Sequence, residues 1–165
     1  MPIKYDKIYY FDVPIAVRTG KTDKSKLWHL NFNNYRSSHP LLLSKVKNVY
    51  NTIVADLNLP KIPFDSPYEI SFLLFRQKFP KIDISNILSI VDKFTCDALI
   101  KAGIIEGDDS YIIPRVNYMV GEYYNPEDKD KSHCRVVIMK FNPTMYMKII
   151  DTTSHNYNKK RTKRV

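Results

Sequence analysis

The sequence is poor in cysteine and histidine and has no long apolar run, and each shortage removes a class of protein. Cys96 and Cys134 are the only cysteines among 165 residues, and they show no CxxC spacing. The N-terminal stretch MPIKYDKIYY has no apolar signal core, so both read as free thiols in a reducing, cytoplasmic setting. The four histidines, His29, His39, His133 and His155, form no HxxxH or HExxH pair, which leaves zinc without its usual ligands. Any metal is then expected to be held by oxygen. No stretch approaches the roughly 20 apolar residues that span a bilayer, and no segment joins Lys and Arg to a long amphipathic face. Internal repeats and glycine-rich linkers are also missing, so residues 1–150 are expected to form one domain followed by a basic, flexible tail over 151–165.

What the chain does have is positive charge, 26 Lys and Arg against 17 Asp and Glu, for a net +9. Such a field attracts polyanions, nucleic acid first among them, although a merely soluble basic protein fits charge alone. The cations expected to meet DNA are Lys21 and Lys24 in the polar turn 19–24, Arg36, Lys78, Lys81, and Lys159, Lys160 and Arg161 in the tail. Residues 158–164 include nothing apolar with which to pack, so this end is expected to be mobile.

Local patterns predict the elements. Ile8–Val17 and Leu27–Phe32 read as strands joined by the basic turn. Ser38 stands where a helix cap belongs, Pro40 suits a first turn, and Leu42, Val46, Val49, Tyr50, Ile53 and Leu57 recur on one helical face. Tyr68–Phe75 reads as a half-buried or central strand. From Ile87 to Ala102 apolar residues again keep helical spacing, with Gly103 at the position of a left-handed C-terminal cap. Ile112–Tyr123 and Cys134–Phe141 are expected to pair as a hairpin across the charged loop 125–132. The fold class that follows is α+β, a single domain with a mixed β-sheet packed with two main helices.

Acidic residues collect around the second helix. Asp83 precedes it, near the positive end of its dipole, while Asn86, Lys93 and Asp97 project from nearly one face as a polar stripe. Asp92 lies beside Lys93, and Asp108-Asp109 follow Gly107. The helix carries the chain about 24 Å away from Asp83, and six extended residues return it at most about 20 Å, so a returning strand is able to bring Asp108 or Asp109 to the helix's N-terminal half. Clustered carboxylates repel unless a hard cation neutralises them, and Mg²⁺ takes one or two of them together with waters and a substrate phosphate. That arrangement suits phosphodiester hydrolysis, with a nearby Lys stabilising developing charge. The plainer alternative is a helix-start acid at Asp83, a solvated Asp92-Lys93 and a Gly-Asp-Asp turn. Spacing alone leaves both open.

The run Asp83-x-x-Asn86, Lys93, Asp97-Ala98-Leu99, Ala102-Gly103 and Asp108-Asp109 resembles the central motif of the RusA family of Holliday-junction resolvases, in a phage-type variant. Asn33-Asn34-Tyr35-Arg36 upstream also suits that family. The direct match covers about a quarter of the chain. The resemblance implies a homodimeric, structure-specific endodeoxyribonuclease that binds and cuts four-way DNA junctions with Mg²⁺, Mn²⁺ serving as a substitute. It implies that Asp83 and Asp109 are metal ligands and catalytic, that Asp108 and Asn86 support them, and that Lys93 is the catalytic-site lysine; with Ser85 in place of an acid, Asp97 or Asp108 is expected to complete the metal set, with Ser85 and Asp92 as supporting residues. Two departures stand out. Ser85 occupies the family's second acidic position, and the interval from Asn86 to Asp97 is longer by four residues, close to one helical turn, which keeps the polar stripe on one face. An alternative function is a junction- or single-strand-binding module of the same fold that is catalytically silent or weak; a third is a nuclease aimed at flaps or mismatches.

Overall fold

A computed structural model describes residues 8–20, 26–63, 65–76, 83–121 and 132–142. Lys21, Lys24, Lys78, Lys81, Lys159, Lys160, Arg161 and the tail 151–165 lie outside them. The elements run β1 (Tyr9–Pro14), β2 (Ala16–Arg18), β3 (Leu27–His29), α1 (Phe32–Ser37), α2 (Pro40–Asp56), β4 (Tyr68–Phe75), α3 (Ile84–Lys101), β5 (Arg115–Val120) and β6 (His133–Lys140). This is an α+β domain with a mixed sheet, as expected, but with a third, short helix.

The four-stranded sheet has the order β1-β6-β4-β5, and β2-β3 form a separate antiparallel pair. Strand β4 is central and almost wholly buried, as its composition predicts. The expected hairpin of β5 with β6 does not form. Instead β5 lies parallel to β4, and β6 pairs antiparallel with β4 on one side and β1 on the other. Burial explains the order. Ile70, Phe72 and Leu74 of β4 are fully covered, while Val116, Met119 and Val120 of β5 stay largely exposed, so the most apolar strand takes the middle and the weaker one an edge.

The strand expected to run from Ile8 to Val17 is interrupted at Ile15, so its two parts join different sheets. The strand expected through Phe32 ends at His29. There Asn31 accepts the Asn34 N–H at 2.8 Å, capping α1 and turning the chain into a helix. At α2 the cap is His39, whose Nδ1 accepts from Leu41, and not Ser38. Ser38 Oγ is instead engaged by the Trp28 indole N–H at 3.1 Å. Pro40 opens α2, where a missing N–H costs nothing.

Helix α3 packs on β4 and β5, and α2 packs on α3 and β2; Phe11, Val13, Ile70, Phe72, Leu74, Cys134, Val136 and Ile138 of the sheet join the helices' buried side chains in one core. Phe94 of α3 anchors the helical side. It stacks on Trp28 at 6.1 Å and meets the edges of Tyr35 at 6.2 Å and Tyr50 at 5.7 Å, tying α1, α2 and β3 to α3. Tyr50 and Thr95 share a buried 2.9 Å hydrogen bond that satisfies both hydroxyls inside this cluster. The opposite sheet face carries charge pairs among apolar side chains: Arg135 donates to both Asp12 oxygens at 2.8 and 2.9 Å and lies over the Phe75 ring, and Arg115 meets Glu69 at 3.1 Å. Helix α3 ends as expected, with Ala102 capping and Gly103 at φ 68°, a conformation open to glycine at little cost.

Candidate functional site

Strands β4 and β5 are parallel, and α3 is the crossover between them, so it starts near the C-terminal end of β4 and returns the chain to the N-terminal end of β5. Each sequence-predicted acid takes its place from this geometry. Asp83 is the N-cap of α3. Its carboxylate accepts the Ser85 N–H at 2.9 Å and the Ser85 hydroxyl at 2.6 Å. The Ser85 hydroxyl first, then the backbone N–H, hold the Asp83 pKa below its ordinary value. Ser85 thus serves as a donor to Asp83.

Asn86 sits in the first turn of α3, where its Oδ1 accepts the Phe32 N–H at 3.0 Å and fastens the start of α1 to α3. Lys93 is exposed farther along the helix. Asp97 is engaged by Lys47 of α2 at 3.2 Å, and that ammonium also lies 5.6 Å from the Phe94 ring centre.

Asp109 is committed to its own turn, its carboxylate accepting from Tyr111 at 2.8 Å and Ile112 at 3.2 Å while its carbonyl receives the Ile113 N–H at 2.7 Å. The Tyr68 N–H, at the start of β4, bonds the Ile112 carbonyl, which fixes this turn at the N-terminal end of the parallel pair. Asp83 therefore stands at the start of α3, a helix of 18 residues, and Asp109 in the turn that leads into β5.

The acids that do influence one another are Asp92 and Asp108. Asp92 is half-buried between α3 and β5, accepting the Tyr118 hydroxyl at 2.7 Å and the Cys96 thiol at 3.2 Å. Burial raises its pKa, the two hydrogen bonds oppose the rise, and the charge of Asp108 adds to it. Tyr118 and Cys96 are both pushed upward, by burial first and then by the Asp92 carboxylate. Burial likewise pushes the Cys134 thiol up to about 12, which makes it an inert core group. Among the described residues no group of three or more His, Cys, Asp and Glu side chains is arranged to hold a metal ion.

Beside Asp83 the structure opens a groove that sequence reasoning missed. It has a volume of about 490 Å³ and lies between β3, α1, the end of β4 and the first turn of α3. Its walls carry His29, Asn33, Asn34, Arg76 and Asn86. The asparagine-rich stretch 31–34 was the available signal, since an Asn-x-x-Asn ahead of a helix is a capping pattern. Nothing local marked Arg76 as its neighbour. No helix among the described residues is long and apolar enough to cross a membrane. A scan against known protein families finds no matching family model, and no curated protein matches the sequence.

Proposed function

We propose that this protein is a structure-specific endodeoxyribonuclease that acts on branched DNA, four-way junctions above all, as a homodimer with Mg²⁺ or Mn²⁺. The observation that carries the reading is that the ordered motif from Asp83 to Asp109 coincides with one β4-α3-β5 crossover, in a chain of net charge +9. Its first acid caps α3 beside a groove bearing an arginine and several amides.

In this reading Asp83 and Asp109 are the essential carboxylates, with Asp97, Asp108, Asn86 and Asp92 in support. Lys93, exposed on α3, stabilises negative charge on the reacting phosphate. A bound divalent cation supplies Lewis acidity toward a phosphoryl oxygen and lowers the pKa of an attacking water. Two equivalent strands must be cut in a junction, which calls for two chains related by a twofold axis. The outer edges of β1 and β5, which pair with no other described strand, suit such an interface.

A second reading, a DNA-binding module of the same fold without catalysis, has its own support: the Asp83 and Asp109 carboxylates are each bonded within their own local turns. Cleavage of a labelled synthetic four-way junction, with Mg²⁺, with Mn²⁺ and with chelator, separates the two. The nuclease reading expects cation-dependent paired incision, abolished in Asp83→Asn and in Asp109→Asn while junction binding is kept. Binding without cleavage in the wild type refutes it in favour of the module, and unchanged cutting by both variants refutes the assignment of these acids. Sedimentation at micromolar concentration tests the dimer.

A further inference from the structure

The groove beside Asp83 carries a charge that the described residues leave unanswered. Arg76, just past the end of β4, is half-buried, lines the groove and forms no hydrogen bond or ion pair with another described residue. Other partly covered cations at comparable depth are answered: Arg115 by Glu69 and Arg135 by Asp12. Withdrawing a guanidinium from water without a counter-charge is costly, so Arg76 fits a place where an anion arrives.

The neighbouring polar groups are also in surplus. The Oδ1 of Asn86 is taken by the Phe32 N–H, but its amide NH₂ has no partner among the described residues. The side-chain amide of Asn33, on the exposed side of α1, is equally unengaged among them, whereas Asn34 is bonded to the His29 carbonyl at 2.9 Å and serves structure. Phe32 is not itself a wall of the groove but lies in sequence between Asn31 and Asn33, which are, and it leaves half of its surface to solvent. Together these supply a cation for a phosphate, amides for a base edge and an aromatic face for stacking. The volume of about 490 Å³ falls in the range of small-ligand sites and has room for one nucleotide.

We propose that this groove is a subsite for one unpaired nucleotide of a DNA strand, its phosphate held by Arg76, its base edge met by the amides of Asn33 and Asn86, and its base face covered by Phe32. The inference rests on the DNA reading above and deepens it: the subsite positions the strand next to Asp83 and gives a reason for acting at branch points, where bases come unpaired. Recognition of this kind does not depend on a bound cation.

The test uses the full chain in chelator, with fluorescein-labelled oligothymidylate for affinity and the dinucleotide d(TpT) for NMR of the ¹⁵N-labelled protein. Expected are shifts of the Asn33 and Asn86 side-chain amides and the Arg76 Nε–H on adding d(TpT). Arg76→Gln should weaken oligothymidylate binding by about tenfold and lower its salt slope by about 0.7, one single-strand phosphate contact. Phe32→Ala should weaken it by about tenfold, as the loss of one stacked base. Lys101→Gln, the same charge change at the far end of α3, serves as the control and should have little effect. Circular dichroism and melting verify that each variant is folded. Equal losses in Arg76→Gln and Lys101→Gln, or d(TpT) shifts confined to other residues, overturn the subsite in favour of diffuse charge. Junction cleavage with no oligothymidylate binding overturns the subsite and leaves the nuclease reading standing; shifts in the groove without cleavage do the reverse.

Discussion

Removing the hydroxyl of Tyr118 probes the α3–β5 contact that the fold builds around Asp92. Tyr118→Phe keeps the ring against Phe72, an edge-to-face contact at 6.0 Å, and deletes only the 2.7 Å hydrogen bond to the carboxylate. The half-buried carboxylate is then left with the Cys96 thiol, a weak donor, at 3.2 Å. A hydrogen bond to a charged acceptor contributes about 1.5–3 kcal/mol, so at pH 7 the variant should lose that much stability and its urea midpoint should fall by roughly 1 M. The pH dependence has a definite sign. Asp92 has a raised pKa in the fold, so the native state holds its proton more tightly than the unfolded chain does. Its contribution is fully present below the unfolded value and is lost as pH rises through the folded one. Losing the Tyr118 bond raises the folded pKa further, so the variant's stability should fall over a wider pH window and lie closest to wild type at acid pH. Urea unfolding at pH 4 and pH 7, followed by circular dichroism, measures both effects. A loss below about 0.5 kcal/mol at pH 7, or one equal at both pH values, refutes the account of Asp92 as a buried charge held by Tyr118.

Phe94→Ala should cost about 3–5 kcal/mol, because it empties the junction of Trp28, Tyr35 and Tyr50; denaturant unfolding followed by Trp28 fluorescence reads both the loss and the altered ring environment. Gly103→Ala meets no steric neighbour yet should cost about 1–2 kcal/mol, since the backbone sits at φ 68°; a neutral result in thermal melting would show that the cap relaxes. Ser85→Ala removes the largest cause of the lowered Asp83 pKa, so an NMR titration of that carboxyl should move upward. Because a lowered pKa gives stability that is lost as pH falls through the folded value, Ser85→Ala should also make stability less sensitive to acid over that range. An unmoved Asp83 titration would remove Ser85 from its role as donor.

Much of the fold is legible in the sequence because it is decided within a few residues. The apolar spacing of α2 and α3, Pro40 at a helix start, Gly103 at a helix end and the continuous apolar run of β4 each reflect interactions with neighbours at most about four positions away. The position of Asp83 as a helix-start acid and the polar stripe of Asn86, Lys93 and Asp97 were legible for the same reason. The strand order was not. Whether β5 meets β6 or β4 is a competition for the central place, and the strands with the most buried apolar side chains, β4 and β6, take it. The same holds for the acids. Contour length bounded how far Asp108 and Asp109 could return along α3, but not that the Asp109 carboxylate would be taken up by its own turn or that Asp108 would act on Asp92. Only tertiary structure joined Asp92 to Tyr118 across 26 residues and brought Arg76 to the groove of Asn33 and Asn86. Sequence determines what each segment prefers over a turn of helix or a few pleats of strand; which side chains from distant segments meet depends on the packing of the whole core, and no local pattern encodes it.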